Sequence, residues 1–298
     1  MPSAVVVRVP AKVNLRLGVG ALRADGYHEL HTVFHAVALF DEVEASESDG
    51  LSLTIEGTGA GLLPTDRGNL AWRAAELLAA EAGVRPAVRL HLRKSIPVAG
   101  GLAGGSADAA GTLLACARLW GVSEDLPALA ARLGSDVAFS LLGGTAIGTG
   151  RGELLVPVPT HPELHWVLAT ANYGISTAAA YAQLDALRDA HAAPEPIGPP
   201  DALLAALAAG DPTGVGLVLA NDLQPAAFAI RPELRRGYDL GLAVGALGAV
   251  VSGSGPTLAF LCADAEHAAH LAAVLRMEEV CRDAIVTSGP APGATTLP

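Results

Sequence analysis

Apolar and polar residues alternate through the N-terminal stretch, with Val5, Val7 and Val9 followed by Val13, Leu15, Leu17 and Val19. A period of two is that of strands with one buried face. Asp25-Gly26 is a turn signal, and strand character resumes from Val33 to Val43. The pattern then changes to a helical period over Asn69–Ala82, with Asn69 as the N-cap. Ala87–Lys94 alternates again and runs into a glycine-rich segment, Ile96–Gly111. From Ser106 to Trp120, Ala110, Leu113, Leu114 and Ala117 recur at helical spacing. Residues 126–153 read as a short helix followed by glycine-rich turns. A second half begins near Leu154 with a strand, a loop and a helix over Thr177–Ala190. A proline-rich connection (Ala193–Pro200) precedes helices at 201–209 and 212–220. A strand–turn–strand unit around Ser252–Gly255 and a helix near 264–276 follow. The last residues, SGPAPGATTLP, read as a frayed tail. The pattern predicts mixed α and β structure in two units, 1–153 and 154–298.

The bulk numbers narrow the class. With 298 residues, 51% hydrophobic and 16% charged, the chain has material for a large core and is not disordered. Aromatics are only 4%, so that core is mostly Ala, Leu and Val. A net charge of −11 with no basic block argues against a nucleic-acid surface, but not against a small phosphorylated ligand. Cys116, Cys262 and Cys281 have long spacings that suit neither a disulfide framework nor a zinc site, and fit a reducing compartment. Arg8, Lys12 and Arg16 interrupt any apolar leader core, so a cytoplasmic protein is expected. Leu240–Cys262 is uncharged and long enough to span a membrane, but SGSGPT (Ser252–Thr257) interrupts it. A buried helix, a glycine turn and a buried strand are expected there.

The segment Ile96–Gly111 carries Gly100, Gly101, Gly104, Gly105 and Gly111 between a strand and a helix. Glycine costs about 0.5–1 kcal/mol inside regular structure, so such a run implies close approach to the backbone. Strand, glycines and helix start together make an anion cradle, because free N–H groups and the helix dipole point at one spot. A close-packed glycine turn fits the same residues. Neither the Walker A pattern nor the Rossmann fingerprint is present. Asp108, in the first helical turn, would compete with a phosphate unless it points away. A serine hydrolase is disfavoured, since neither GGSAD nor SGSGP fits G-x-S-x-G.

Three separated segments resemble one family. PAKVNLRL (Pro10–Leu17), PVAGGLAGGSADAA (Pro97–Ala110) and VVSGSGPTLAF (Val250–Phe260) are similar to the three motifs of the GHMP kinases, the galactokinase, homoserine kinase and mevalonate kinase superfamily. RADGYHELHTVF (Arg23–Phe34), LGSDVAFSLLGGTAIGTGRGE (Leu133–Glu153) and NDLQPAA (Asn221–Ala227) resemble a narrower branch, the kinases of 4-diphosphocytidyl-2-C-methyl-D-erythritol. The resemblance implies an α+β, two-lobed GHMP kinase fold. Its N-terminal lobe would be like domain 2 of ribosomal protein S5, its C-terminal lobe α+β, and its active site the cleft between them. It implies transfer of a phosphoryl group from ATP, with Mg²⁺, to the 2-hydroxyl of the methylerythritol unit in non-mevalonate isoprenoid synthesis. Expected partners are that small molecule and ATP, with no nucleic acid and no membrane, for a monomer or homodimer. A kinase for another small alcohol and an inactive nucleotide-binding module are the alternatives.

The resemblance also assigns residues. Asp136 matches the catalytic aspartate, which takes the acceptor proton as transfer proceeds. Lys12 matches the motif-one lysine, which offsets developing charge beside it. Asn14 shares the strand face of Lys12 and is expected to bind substrate, as is Thr177. Tyr27 would stack on cytosine, His28 would hydrogen-bond its edge, and Tyr181 would close a sandwich. Pro97, Gly100, Gly101, Leu102, Ala103, Gly104, Gly105 and Ser106 would surround the ATP phosphates, with Gly253 beside them. Asn69 and Lys94 are expected on the adenosine side. The branch commonly reads G-L-G-G-G-S-S where this chain has Gly101-Leu102-Ala103-Gly104-Gly105-Ser106-Ala107. Ala107 lacks a hydroxyl, so Mg²⁺ would rest mainly on the ATP phosphates, Asp136 and water, with no dedicated protein metal site.

Overall fold

The computed structural model describes residues 3–159 and 163–298. The alternating N-terminus forms one long strand, β1 (Ala4–Leu22), joined to β2 (His28–Glu47) across the Asp25-Gly26 turn. Pro10 has no N–H for the ladder, and the antiparallel register shifts between Pro10 and Ala11. There follow β3 (Ser52–Gly57), α1 (Leu70–Ala82), β4 (Val88–Lys94), α2 (Gly104–Trp120), α3 (Leu126–Leu133), α4 (Ser135–Leu142), β5 (Thr145–Thr149) and β6 (Leu154–Pro157). The second half contains β7 (Leu164–Thr170), α5 (Thr177–Asp189), α6 (Asp201–Ala209), α7 (Pro212–Leu217), β8 (Ala220–Asn221), α8 (Gln224–Ile230) and α9 (Glu233–Ala243). It closes with β9 (Gly248–Val251), β10 (Leu258–Cys262), α10 (Ala265–Met277), β11 (Asp283–Gly289) and β12 (Thr295–Thr296).

The first sheet runs β12-β1-β2-β4-β3, with β5 and β6 continuing from β2 and β8 beside β1. The second runs β11-β7-β10-β9. α2 lies directly on the first sheet. A Cβ at Gly111 would stand 2.7 Å from Val43 and 2.8 Å from Val9, so only glycine lets the helix sit this close. The run from Leu164 to Thr170 is apolar without alternation because both of its faces are covered. Leu164, Trp166 and Leu168 join the larger core that includes the first sheet, while Val167 and Ala169 enter a second core with Phe260, Leu271 and Leu275.

Three expectations change. The C-terminal residues are not frayed: Thr295 and Thr296 pair with Arg8 and Val7, Ala291 is buried, and Ala294 N–H donates to the Ser140 carbonyl. Leu240–Cys262 holds the end of α9, then two strands around the Ser252–Gly255 turn, so the buried helix expected there is replaced by β9. No helix among the described residues is long and apolar enough to cross a membrane. The glycine-rich stretch after α3 contains a further helix, α4, and the β5–β6 hairpin. The 153/154 boundary falls at the tip of that hairpin.

Candidate active site

A cleft of about 1260 Å³ opens between the glycine loop, the β1–β2 hairpin, α4 and α5. A single small-ligand pocket occupies roughly 300–1,000 Å³, so this one exceeds the size of an ordinary single-ligand pocket. Every expected site residue except Leu102 lines it. The Leu102 side chain is buried in the core, and its carbonyl accepts from Lys12 N–H at 3.2 Å.

Lys12 and Asn14 lie two apart on β1 and face the same way. Lys12 Nζ donates to Asn14 Oδ1 at 2.7 Å and to the Gly101 carbonyl at 3.1 Å. It stands 3.6 Å from Asp136 Oδ2. Asn14 Nδ2 donates to Thr32 Oγ1 at 2.8 Å, which donates on to the Arg16 carbonyl. The lysine is buried and the asparagine is fixed by both neighbours, so neither can wander. Asp136 occupies the first turn of α4, where the helix dipole favours an anion, and its carboxylate is about one-third exposed to the cleft. A fixed cation, a fixed amide and an open carboxylate therefore meet at one point. Such a group can take a proton from an alcohol and steady the charge that follows.

The glycine loop meets two different neighbours. At Gly101, with φ +76°, a Cβ would stand 2.1 Å from the Ser252 carbonyl oxygen. Its close partner is thus the Ser252–Gly255 turn, and Ser252 Oγ donates to the Gly101 carbonyl at 3.0 Å. Around Gly105 only Leu70 comes within 4 Å, so that backbone is open to the cleft beside Ser106. The packing reading holds at Gly101, while the Gly105 backbone is left open to the cleft. Gly253 sits over Lys12, with a virtual Cβ 3.2 Å from its Nζ. Asn221 holds this turn in place, its Nδ2 donating to the Val251 and Gly253 carbonyls at 2.7 Å each.

Lys94 and Asn69 border the cleft, but their polar atoms are engaged with protein. Asn69 caps α1 through Ala71 N–H and donates to the Pro64 carbonyl. Lys94 is fully buried, hydrogen-bonded to Asp41 and Asp108 and to the Gly104 carbonyl. Asp41 also accepts from Ser95 and Ile96 N–H, the residues just before the loop. The Asp108 carboxylate thus points at Lys94, which removes the conflict with an anion at the α2 N-terminus.

On the other side, His28 Nε2 lies 3.0 Å from Asp185 Oδ1, and its ring stacks on Tyr181 at 5.1 Å and 25°. The His28–Tyr181 stack forms one wall of the cleft, which Tyr27 also lines. Burial, with the negative charge of Asp136 as a lesser cause, pushes the Tyr181 phenol up to about 12. Tyr27 is more than half exposed at the cleft mouth, with the Arg151 guanidinium 5.0 Å over its ring. The Thr177 and Ser254 hydroxyls lie 3.2 Å apart and link α5 to the turn over Lys12.

The sequence and fold match known proteins. The GHMP kinases N terminal domain description matches residues 69–144, and the GHMP kinases C terminal description residues 203–278. The 4-diphosphocytidyl-2-C-methyl-D-erythritol kinase of Salinispora arenicola is 57% identical over 292 residues, which cover 97% of this chain and 93% of that one. The chain belongs to the 4-diphosphocytidyl-2-C-methyl-D-erythritol kinase family. The relative of that name from Rhodococcus jostii is 53% identical, covering 100% of this chain and 96% of its own. A crystal structure of a 4-(cytidine 5'-diphospho)-2C-methyl-D-erythritol kinase superposes with a TM-score of 0.78 at 37% identity, covering 96% of this chain and all of that one. A homoserine kinase from Cytophaga hutchinsonii, 22% identical with a TM-score of 0.77, shares the fold alone.

Within this kinase family's site, the sequence does not single out Asp41, Asp185 or Ser135. Asp41 and Lys94 lie 53 positions apart, and His28 and Asp185 lie 157 apart, so neither pairing has a local signal. Asn221 stands in a matched motif, but only the fold reveals what it holds.

Proposed function

We propose that this protein phosphorylates the 2-hydroxyl of 4-diphosphocytidyl-2-C-methyl-D-erythritol with ATP, releasing ADP. The observation that carries the reading is the placement of the Lys12–Asp136 pair between the glycine loop on one side and Tyr27, His28 and Tyr181 on the other. ATP lies along Pro97–Ser106, its phosphates against the open Gly105–Ser106 backbone at the start of α2. The cytidine lies against Tyr27. Asp136 accepts the proton of the 2-hydroxyl as that oxygen bonds to the γ-phosphorus and the bond to the β,γ-bridging oxygen breaks. Lys12 balances charge as it moves onto the transferred group. Asn14 and Thr177 position the acceptor. Residues 1–153 supply Lys12, Asp136 and the loop, and 154–298 supply Tyr181 and the Ser252–Gly255 turn.

Among the described residues no group of three or more His, Cys, Asp or Glu side chains could hold a metal ion. One carboxylate facing the phosphates suits Mg²⁺, which prefers substrate oxygens and water to an all-protein cage. Bound with ATP, it would neutralise phosphate charge, held mainly by the phosphate oxygens and water beside Asp136. Both substrates are small and polar, and we place the reaction in the cytoplasm.

The test is ADP release with Mg-ATP and the cytidyl substrate, beside homoserine, mevalonate and galactose. Turnover with the cytidyl compound alone is expected. Turnover with another alcohol would replace the acceptor, and ATP binding without any turnover would leave a nucleotide-binding module.

A further inference from the structure

We propose that Arg151 is the residue that recognises the diphosphate of the cytidyl substrate and so sets specificity for a nucleoside diphosphate-linked alcohol. The inference deepens the proposed function and rests on it. If the base lies at Tyr27 and the reacting hydroxyl at Asp136, the two phosphates must bridge the interval between those residues.

Arg151 occupies that interval. Its guanidinium covers the Tyr27 ring at 5.0 Å. Its carbonyl accepts from Ser135 Oγ at 2.7 Å, and Ser135 is the neighbour of Asp136. The turn that carries it is tied down from both directions. Leu30 N–H donates to the Gly150 carbonyl at 2.7 Å, and Gly150 N–H donates to Glu29 Oε1 at 3.1 Å. Arg151 N–H donates to Glu153 Oε2 at 2.6 Å. The Arg151 side chain therefore extends from a fixed backbone on the cleft wall, about two-thirds covered.

The other cations of the cleft are engaged or lie elsewhere. Lys12 is held by Asn14, Gly101 and Asp136, and Lys94 by two carboxylates. Arg132, on α3, pairs with Glu81 at 2.8 Å. Arg73, on α1, lies on the loop side with Asn69 and Leu70. Apart from its stack on Tyr27, the Arg151 guanidinium meets only Glu153, through Nε at 3.7 Å, and its Nη1 and Nη2 groups have no hydrogen-bond or ion-pair partner among the described residues. A planar fork with two free N–H edges is the geometry that grips phosphate oxygens in pairs. An acidic chain that must admit a dianionic linker needs such a cation where the linker passes.

The experiment compares binding of cytidine, CMP and CDP by the full-length protein, using wild type, Arg151→Gln, Arg151→Lys and Tyr27→Ala. Arg151→Gln is expected to weaken CDP by about tenfold to a hundredfold and leave cytidine unchanged, with CMP between them. Arg151→Lys should recover part of the loss as a point charge. Tyr27→Ala should weaken all three alike. In turnover, Arg151→Gln should raise KM for the cytidyl substrate by a similar factor with KM for ATP unchanged. An equal loss for cytidine and CDP in Arg151→Gln would overturn the inference, because the arginine would then act through Tyr27. So would unchanged CDP binding alongside wild-type turnover. Absence of turnover by the wild type with the cytidyl substrate would overturn the proposed function, and this inference with it.

Discussion

Lys94 Nζ donates to Asp108 Oδ2 at 2.6 Å while holding Asp41 on its other side, so one buried ammonium stands between two buried carboxylates. Through the Gly104 carbonyl and the Ser95 and Ile96 N–H groups, this triad fixes both ends of the glycine loop. The charges do not balance, and burial raises the Asp108 carboxyl from 3.8 to about 7, with Lys94 opposing the shift and Asp41 adding to it. Between those limits the folded protein holds a proton that the unfolded chain has released. Stability contributed by this group therefore falls as pH rises from about 4 to about 7, and levels off above that. Asp108→Asn keeps an acceptor for Lys94 and removes the titration. Its melting temperature relative to wild type should climb across that window and then stay constant. A difference independent of pH would show that Asp108 does not titrate there.

Asp136 and Lys12 stand 3.6 Å apart but differ in what their loss should do. The Asp136 carboxylate accepts no hydrogen bond among the described residues and faces the cleft, so Asp136→Asn should leave the melting temperature nearly unchanged. Turnover should drop by about 10²–10⁴-fold, the usual contribution of a positioned base. Lys12→Met removes the donor to Asn14 and Gly101 and leaves both without it inside the protein. That variant should lose activity and also about 1–3 kcal/mol of stability. ADP release and thermal unfolding measured on both proteins check the contrast. An active Asp136→Asn would remove this carboxylate from the chemistry.

The parts legible in the sequence are those governed by neighbours. The period of β1, the Asn69 cap of α1 and the strand–glycine–helix order around Ile96–Gly111 are local patterns, and the structure has each. Two separated motifs with Lys12 and Asp136 also point to one site, because matched segments imply a shared cleft. What stayed hidden depends on chain segments meeting from afar. Lys94 looked available for adenosine because its partners, Asp41 and Asp108, belong to other elements. The C-terminal residues looked frayed because proline, glycine and alanine carry no periodic signal. Their order comes from β1, β2 and α4, which the tail reaches only in the finished fold.

The loop itself gives a paired test of backbone strain. Gly101 and Ala103 both have positive φ, +76° and +62°. At Gly101 a methyl would also strike the Ser252 carbonyl, which is backbone and cannot swing aside. Gly101→Ala should therefore cost about 3 kcal/mol or more and pull the loop off the Ser252–Gly255 turn, raising KM for ATP. Ala103 already carries a methyl in the left-handed region at the N-cap of α2. Ala103→Gly should relieve that strain, with the gain reduced by the greater freedom of glycine in the unfolded chain. A net gain of about 0.5 kcal/mol is expected. Thermal unfolding of the two variants should move in opposite directions, and a destabilised Ala103→Gly would mean that the left-handed alanine carries little strain.

The C-terminal tail reaches α4, the helix that carries Asp136, from behind. Ala294 N–H donates to the Ser140 carbonyl in α4, Gly144 N–H just after α4 donates to the Ala291 carbonyl, and Ala291 N–H donates to Ala36 in β2. Gly293 packs so closely that a Cβ there would stand 2.1 Å from the Leu141 carbonyl oxygen. α4 has only two turns, and its first carries Asp136. Ending the chain after Gly289 frees the last turn of that helix and the outer edge of β1. The truncated protein should lose about 2 kcal/mol, a fall of roughly 4 °C or more in melting temperature. At temperatures where it remains folded, kcat should fall more than KM for either substrate rises, because Asp136 would lose its fixed position relative to Lys12. A truncated protein with wild-type melting temperature and kcat would mean that the tail lies on the surface without holding it.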